Sequence, residues 1–280
     1  MLRRSVLTAC LACLVGLAGL SVAGPASAER TAALSEALRL GDLIEIMREE
    51  GREHGRDIGA TLLGHEGGRD WQDTVSRIYA ADRMLGLMEA RIEAELGPDP
   101  EALAVMVDFF DSDRGRRVVE LEISARRAML DDEIDAAARA AWDRLRDEDA
   151  ARADLLRRFA DAGDLVEANV VGGLNSTFAF YRGLLEGGGG PDMDEADVLA
   201  DVWAQEPGIR SEIEEWLFGY LTLAYGPLEG EELELYTAFF ETEEGQALNA
   251  ALFAAFHQMF ETISEDLGRA VGLRMQGEDL

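Results

Sequence analysis

The chain has 280 residues, of which 56 are acidic and 26 are arginine, so its formal net charge is −30 at neutral pH. It contains no lysine, which excludes Schiff-base chemistry and lysine general bases. Such an acidic surface repels the phosphates of nucleic acids and of anionic lipids, so we expect no nucleic acid as a partner.

The N-terminal segment predicts export. Arg3 and Arg4 precede an apolar run from Val6 to Val22, and Ala26-Ser27-Ala28 supplies the small residues that a signal peptidase recognises. We therefore predict a signal peptide over residues 1–28, cleaved after Ala28, and a periplasmic or secreted protein. The apolar run is shorter than the ~20 residues of a spanning helix, so no stable membrane span is expected in the mature chain.

Both cysteines of the chain, Cys10 and Cys13, lie within the predicted signal peptide. The mature chain is therefore expected to have no disulfide, no thiol nucleophile and no cysteine metal site. A chain of this length can bury enough apolar surface to be stable without disulfides.

The rest of the sequence predicts an all-α fold. Long stretches rich in Ala, Leu, Glu and Arg, all good helix formers, run between only six prolines. Apolar residues recur at helical spacing, as at Ile78, Leu85 and Ile92, and no run of β-branched residues alternates with period two. One uninterrupted helix is expected over residues 132–159, which contain neither glycine nor proline.

A short motif occurs twice, as "FFDSDRG" at 109–115 and "FFETEEG" at 239–245. In the first copy Ser112 is placed to cap the following helix, and Gly115 lets that helix start close to its neighbour. In the second copy Thr242 and Gly245 take the same places. The positions that define this helix junction are Phe110, Ser112 and Gly115 in the first copy, and Phe240, Thr242 and Gly245 in the second.

The similarity extends beyond the motif. Residues 101–129 and 231–259 share seven identities, and Trp71 and Trp203 each follow a glycine-rich break. We therefore predict two tandem repeats, over 29–147 and 148–280, each of about four helices and packed together.

The segments "EELELYTAFFETEEGQAL" and "EALAVMVDFFDSDRGRRV" resemble the family called domain of unknown function 2059. Members of that family are exported, helical bacterial proteins without an established activity. The resemblance implies a helical fold and an exported protein, and it supplies no catalytic residues. This chain has arginine or glutamine after the motif's glycine, where the family has lysine.

No catalytic or metal-binding pattern stands out, and we expect no cofactor. The three histidines, His54, His65 and His257, lack the H-E-x-x-H spacing of a zinc site. His257 aligns with Arg127 of the first repeat, so an exposed or ion-paired position is expected for it. No G-x-S-x-G sequence marks a serine nucleophile.

Three acidic residues, Asp82, Glu89 and Glu122, lie close to the apolar faces of their helices. Two of them facing each other in a cleft could act as acid and base, as in a hydrolase or lyase. The other interpretation is ordinary ion pairing with arginines 116, 126 and 127.

Aromatic residues are concentrated in the second half. Phe178 and Tyr181 on one helix, and Trp216 and Tyr220 on another, point in several directions, which is typical of core. The alternative is a groove between the two halves that takes a peptide or an apolar ligand. We therefore predict a non-enzymatic, exported binding protein whose partner is an envelope protein or an apolar ligand; the alternative is an enzyme with paired carboxylates.

Overall fold

The computed structural model describes residues 25–63, 68–189 and 194–277, and these form helices without a strand, which confirms the all-α prediction. The helices are α1 (Pro25–Ala37), α2 (Leu40–Leu62), α3 (Gly68–Ile78), α4 (Ala81–Leu96), α5 (Pro100–Asp111), α6 (Asp113–Ala128) and α7 (Asp132–Glu148). They continue with α8 (Ala150–Ala162), α9 (Leu165–Glu186), α10 (Glu195–Ala204), α11 (Glu206–Tyr225), α12 (Gly230–Phe240) and α13 (Glu243–Met275). Within these residues, none of the helices combines the length and the apolar character that crossing a membrane requires.

Most of the predicted signal peptide, residues 1–24, lies outside the described residues. The predicted cleavage position after Ala28 falls inside α1. Thr31 is the first buried side chain among those described, so cleavage there would leave the buried face of α1 with the mature chain.

The order of the helices on either side of α7 is similar. α1 and α8 are both 13 residues long, and each is joined to a long helix through a left-handed residue, Arg39 (φ 52°) or Asp164 (φ 49°). α1 packs on α5 as α8 packs on α12, and α2 packs on α3 and α4 as α9 packs on α10 and α11. Each side thus has six helices among the described residues, rather than about four. The tandem repeat stays a prediction, which this order supports.

The prediction of one continuous helix over residues 132–159 is wrong, because the structure divides this stretch into α7 and α8 at Asp149. The backbone of Asp149 is not helical (φ −139°, ψ 76°), and its Oδ1 accepts a hydrogen bond from the Arg152 amide at 3.0 Å. An aspartate that caps a helix start offers the backbone an alternative to a continuous helix. The break lets α7 pack on α11 while α8 packs on α12.

The two copies of the repeated motif have the same local geometry. The Oγ of Ser112 accepts a hydrogen bond from the Gly115 amide at 3.1 Å, and the Oγ1 of Thr242 accepts one from the Gly245 amide at 3.0 Å. A Cβ at Gly115 would lie 2.3 Å from the Phe109 carbonyl oxygen, and one at Gly245 would lie 2.0 Å from that of Phe239. Each junction therefore needs both its hydroxyl cap and its glycine.

Replacing either cap by alanine is expected to lower the free energy of unfolding by about 1 kcal/mol, because the Gly115 or Gly245 amide loses its acceptor. Ser112→Ala and Thr242→Ala should behave alike in denaturant unfolding. Ser124→Ala is the matched control, since Ser124 is exposed within α6. Cap variants as stable as this control would contradict the assignment.

The two motif copies also contact each other. The ring of Phe109 stacks on that of Phe239 with centroids 3.9 Å apart, and Phe110 meets Phe239 edge-on at 5.6 Å. One cluster of buried side chains extends from Leu34 in α1 to Val271 in α13, so both halves share a core. The repeated phenylalanines thus form part of the interface between the halves.

The C-terminal parts of α9 and α13 are in backbone contact. A Cβ at Gly183 would lie 2.0 Å from the Glu265 carbonyl oxygen, and a Cβ at Gly268 would lie 2.0 Å from that of Phe180. Only glycine fits at either position without displacing a helix. We call this contact, formed by Gly183, Gly187, Gly268 and Gly272, the glycine seam.

Candidate binding cavity

A cavity of about 520 Å³ lies between the N-terminal parts of α9 and α13 and is completed by α11 and α12. Of the described residues in the first half of the chain, four line the cavity: Leu38, Met47, Phe110 and Glu122. The aromatic residues of the lining are Phe110, Phe159, Trp216, Tyr220, Tyr225, Tyr236, Phe240, Phe253, Phe256 and Phe260. The cavity therefore lies mainly in the second half and is closed on one side by the first.

The position of the cavity follows from how α9 and α13 pack. Their backbones touch at the glycine seam, but toward their N-terminal ends side chains bridge the gap. The Nδ2 of Asn249 donates to the Gly163 carbonyl oxygen at 2.7 Å, and the Nε2 of His257 lies 2.9 Å from that of Ala168. Both side chains line the cavity, so they provide polar groups on its α13 wall.

Glu122 is bound by tyrosines of the second half. The hydroxyls of Tyr225 and Tyr236 both donate to its Oε1, at 2.6 and 3.0 Å. The hydroxyl of Tyr220 lies 3.4 Å from the Glu122 backbone oxygen. We call Glu122, Tyr220, Tyr225 and Tyr236 the Glu122 cluster; all four residues line the cavity.

Burial controls the electrostatics of this cluster. It raises the pKa of the Glu122 carboxyl, and the hydrogen bonds from Tyr225 and Tyr236 act in the opposite direction. Burial, followed by the charge of Glu122, raises the pKa values of all three tyrosine hydroxyls well above 10, so these remain neutral donors. Glu122 is half-buried and is one of the residues that line the cavity.

Arg126, one helical turn beyond Glu122, binds other residues. Arg126 donates to the Oε2 of Glu50 at 2.6 Å, and its guanidinium lies 4.8 Å from the ring centroid of Trp216. Trp216 in turn stacks on Tyr220 with centroids 5.4 Å apart. Within the described part of the chain, no arginine or histidine forms an ion pair with Glu122.

No protein-family model, curated protein or solved structure matches the chain. The resemblance of the two helix junctions to domain of unknown function 2059 therefore stays a prediction. The cavity and the side chains that line it are therefore the features from which a function can be proposed.

The structure separates the aromatic residues that the sequence proposes for a groove. Trp216 and Tyr220 line the cavity. Phe178 packs against the small cluster formed where α10 covers α9. Tyr181 lines a second cavity, between α2, α9 and α13, together with His54.

The three acidic candidates are also separated. Glu122 is the only carboxyl among the described residues that line the cavity. Glu89 accepts a hydrogen bond from the Oγ of Ser35 at 2.8 Å, and Asp82 is exposed. Among the described residues that line the cavity, no second carboxyl is present to complete the predicted acid and base pair.

Sequence reasoning missed several cavity residues. His257, expected on an exposed or ion-paired face, is instead half-buried against the cavity. The sequence does not mark Tyr236 as a cavity residue, although its spacing from Leu233 and Phe240 places all three on one buried face of α12. His65 lies outside the described residues. Among the residues that are described, no group of three or more His, Cys, Asp or Glu side chains could hold a metal ion.

Proposed function

We propose that this chain is an exported binding protein that holds an apolar small molecule in the cavity between α9, α11 and α13. The observation that carries the proposal is the cavity itself. Its volume of about 520 Å³ falls in the range of small-molecule sites, which run from ~300 to 1,000 Å³. Its lining is mostly aromatic and aliphatic with a few polar groups, the usual composition of such sites.

The arrangement favours binding over catalysis. The polar groups of the cavity are the Glu122 cluster and, on the other helices, Asn169, Ser176, Asn249 and His257. The Asn249 amide on α13 donates to the Gly163 carbonyl oxygen just before α9 and so connects two walls, whereas the Asn169 amide donates to the Leu165 carbonyl oxygen within α9. The tyrosine hydroxyls beside Glu122 stay neutral, and no second carboxyl lies among the described residues of the lining, so Glu122 is better placed to orient a ligand than to transform one.

The first test is native mass spectrometry of the protein purified from its own host. We expect a reproducible added mass that is released by organic solvent, because an apolar cavity of this size favours an apolar occupant. The same spectrum tests export, since cleavage after Ala28 leaves a chain that begins at Glu29.

Filling the cavity should block it. Leu252 lines the cavity and is half-buried, so Leu252→Trp is expected to weaken binding of the neutral apolar probe N-phenyl-1-naphthylamine at least tenfold. The matched control is Leu235→Trp, because Leu235 is exposed on α12. Thermal unfolding of both variants checks that they fold. Equal probe binding by Leu252→Trp and the control, or no binding by the unaltered protein, would overturn the proposal.

A further inference from the structure

We infer that the Glu122 cluster selects ligands that carry a protonated amine at the end of an apolar body. This inference rests on the proposed function and narrows it to one ligand class. The hydroxyls of Tyr225 and Tyr236 converge on one oxygen of Glu122, Oε1. Its other oxygen, Oε2, accepts no hydrogen bond from the described residues and is not fully buried, and Glu122 is one of the residues that line the cavity.

A carboxylate that is partly removed from water is stabilised by a cation. Among the described residues, none of the arginines or histidines forms an ion pair with Glu122. Arg126 is paired with Glu50 and stacked on Trp216. Arg152 on α8 donates to the Tyr225 carbonyl oxygen at 2.5 Å and not to Glu122. His257 is held on the α13 wall beside the Ala168 carbonyl. A cationic ligand would provide what these groups do not.

The side chains packed around the Glu122 carboxyl are aromatic and carry no positive charge. The rings of Tyr225 and Tyr236 have centroids 6.0 Å apart, and Phe159 lies 5.0 and 5.1 Å from them. These rings are almost fully buried against one another, so a cation that reaches Glu122 would be held by a charge-assisted hydrogen bond to the carboxylate rather than by the ring faces.

The same features disfavour other ligand classes. An anionic head would meet Glu122 without a neutralising arginine, and it would approach a chain of net charge −30. A neutral alcohol could donate to Oε2 but would leave the carboxylate charge unpaired. A metal ion needs several oxygen or nitrogen ligands, and this end of the cavity offers one carboxyl and three neutral phenols. An amine fits where these do not.

The test uses three probes with one apolar body and different heads: 4-phenylbutylamine, 4-phenylbutan-1-ol and 4-phenylbutanoate. Isothermal titration of the unaltered protein at ~0.15 M salt, where surface charge is largely screened, compares their affinities. We expect the amine to bind at least tenfold more tightly than the alcohol or the acid. This comparison requires no variant, so it does not depend on whether a substitution folds.

Glu122→Gln then removes the charge while its amide oxygen can still accept from the tyrosines. We expect it to reduce the preference for the amine over the alcohol to within about twofold. Glu234→Gln, the matched control, removes the same charge from the exposed face of α12 and should keep the preference.

The outcomes separate the two proposals. An alcohol or acid bound as tightly as the amine, or an amine preference that survives Glu122→Gln, would overturn this inference and leave the cavity as a binding site. If none of the three probes binds, the proposed function fails and this inference fails with it.

Discussion

Gly268→Ala is expected to lower the free energy of unfolding by about 3 kcal/mol, one of the largest effects of any single methyl group in this protein. The new Cβ would lie 2.0 Å from the Phe180 carbonyl oxygen and 2.9 Å from the Leu184 amide nitrogen. Both atoms belong to the backbone of α9, so no side-chain rotation relieves the clash and one helix must move. Close-packed interiors resist such a movement.

The matched control is Gly86→Ala on α4, where an added Cβ has no other atom within 4 Å. There the substitution should raise the free energy of unfolding by about 0.5–1 kcal/mol, because alanine favours the helix over glycine. Urea unfolding followed by circular dichroism measures both variants. If Gly268→Ala is as stable as Gly86→Ala, α9 and α13 are not in backbone contact at the glycine seam.

The helix junctions are the part of the fold that the sequence predicts in most detail. A hydroxyl at the helix start and a glycine three residues later satisfy needs that arise within seven residues of chain. Ser112 and Thr242 meet those needs in the same way. That the two motif copies stack on each other through Phe109 and Phe239 is a long-range contact, and no local pattern reveals it.

Helix breaks that involve neither glycine nor proline are harder to predict from the sequence. Asp149 interrupts a stretch of good helix formers, and Arg39 adopts a left-handed conformation that glycine or asparagine adopts more often. At both positions the chain turns because the flanking helices pack on different neighbours. Propensity is a weak guide where packing decides the outcome.

The residues of the cavity can likewise be predicted only in part from the sequence. Aromatic residues at helical spacing indicate burial, but they do not indicate which neighbours they meet. Trp216 and Tyr220 on α11 line the cavity, whereas on α9 Phe178 packs against the cluster beneath α10 and Tyr181 lines the second cavity. Glu122 could be recognised as an acid near an apolar face, but its partners Tyr225 and Tyr236 lie more than 100 positions further along the chain.

Replacing Glu122 by glutamine is expected to make the protein progressively more stable, relative to the unaltered chain, as the pH rises above about 4.5. Burial raises the pKa of the Glu122 carboxyl in the folded state above its ordinary value of 4.5. Between these two pKa values the folded chain keeps a proton that the unfolded chain has lost, so the free energy of unfolding falls as the pH rises. The loss is about 1.4 kcal/mol for each unit of pKa difference, and it levels off above the folded-state pKa.

The difference between the two proteins isolates Glu122 from its neighbours. Glu50 has a raised pKa and His54 a lowered one, but both are present in each protein and their contributions cancel. Tyr220, Tyr225 and Tyr236 stay protonated over this range, because their pKa values are raised well above 10. Urea unfolding at a series of pH values measures the difference, with Glu234→Gln as the control for removing one charge from the exposed face of α12. A difference that does not change with pH would mean that Glu122 is ionised as readily in the folded chain as in the unfolded one.

An amine bound beside Glu122 should change this pH dependence of the free energy of unfolding. A cation beside Oε2 favours the carboxylate, so saturating 4-phenylbutylamine should lower the folded-state pKa of Glu122 and offset the loss of stability at higher pH. The alcohol with the same body should stabilise both proteins without changing the trend. An amine that stabilises the unaltered protein and Glu122→Gln equally at every pH binds without contacting the carboxylate. The pH series therefore tests whether the charge of Glu122 is the feature that the ligand recognises.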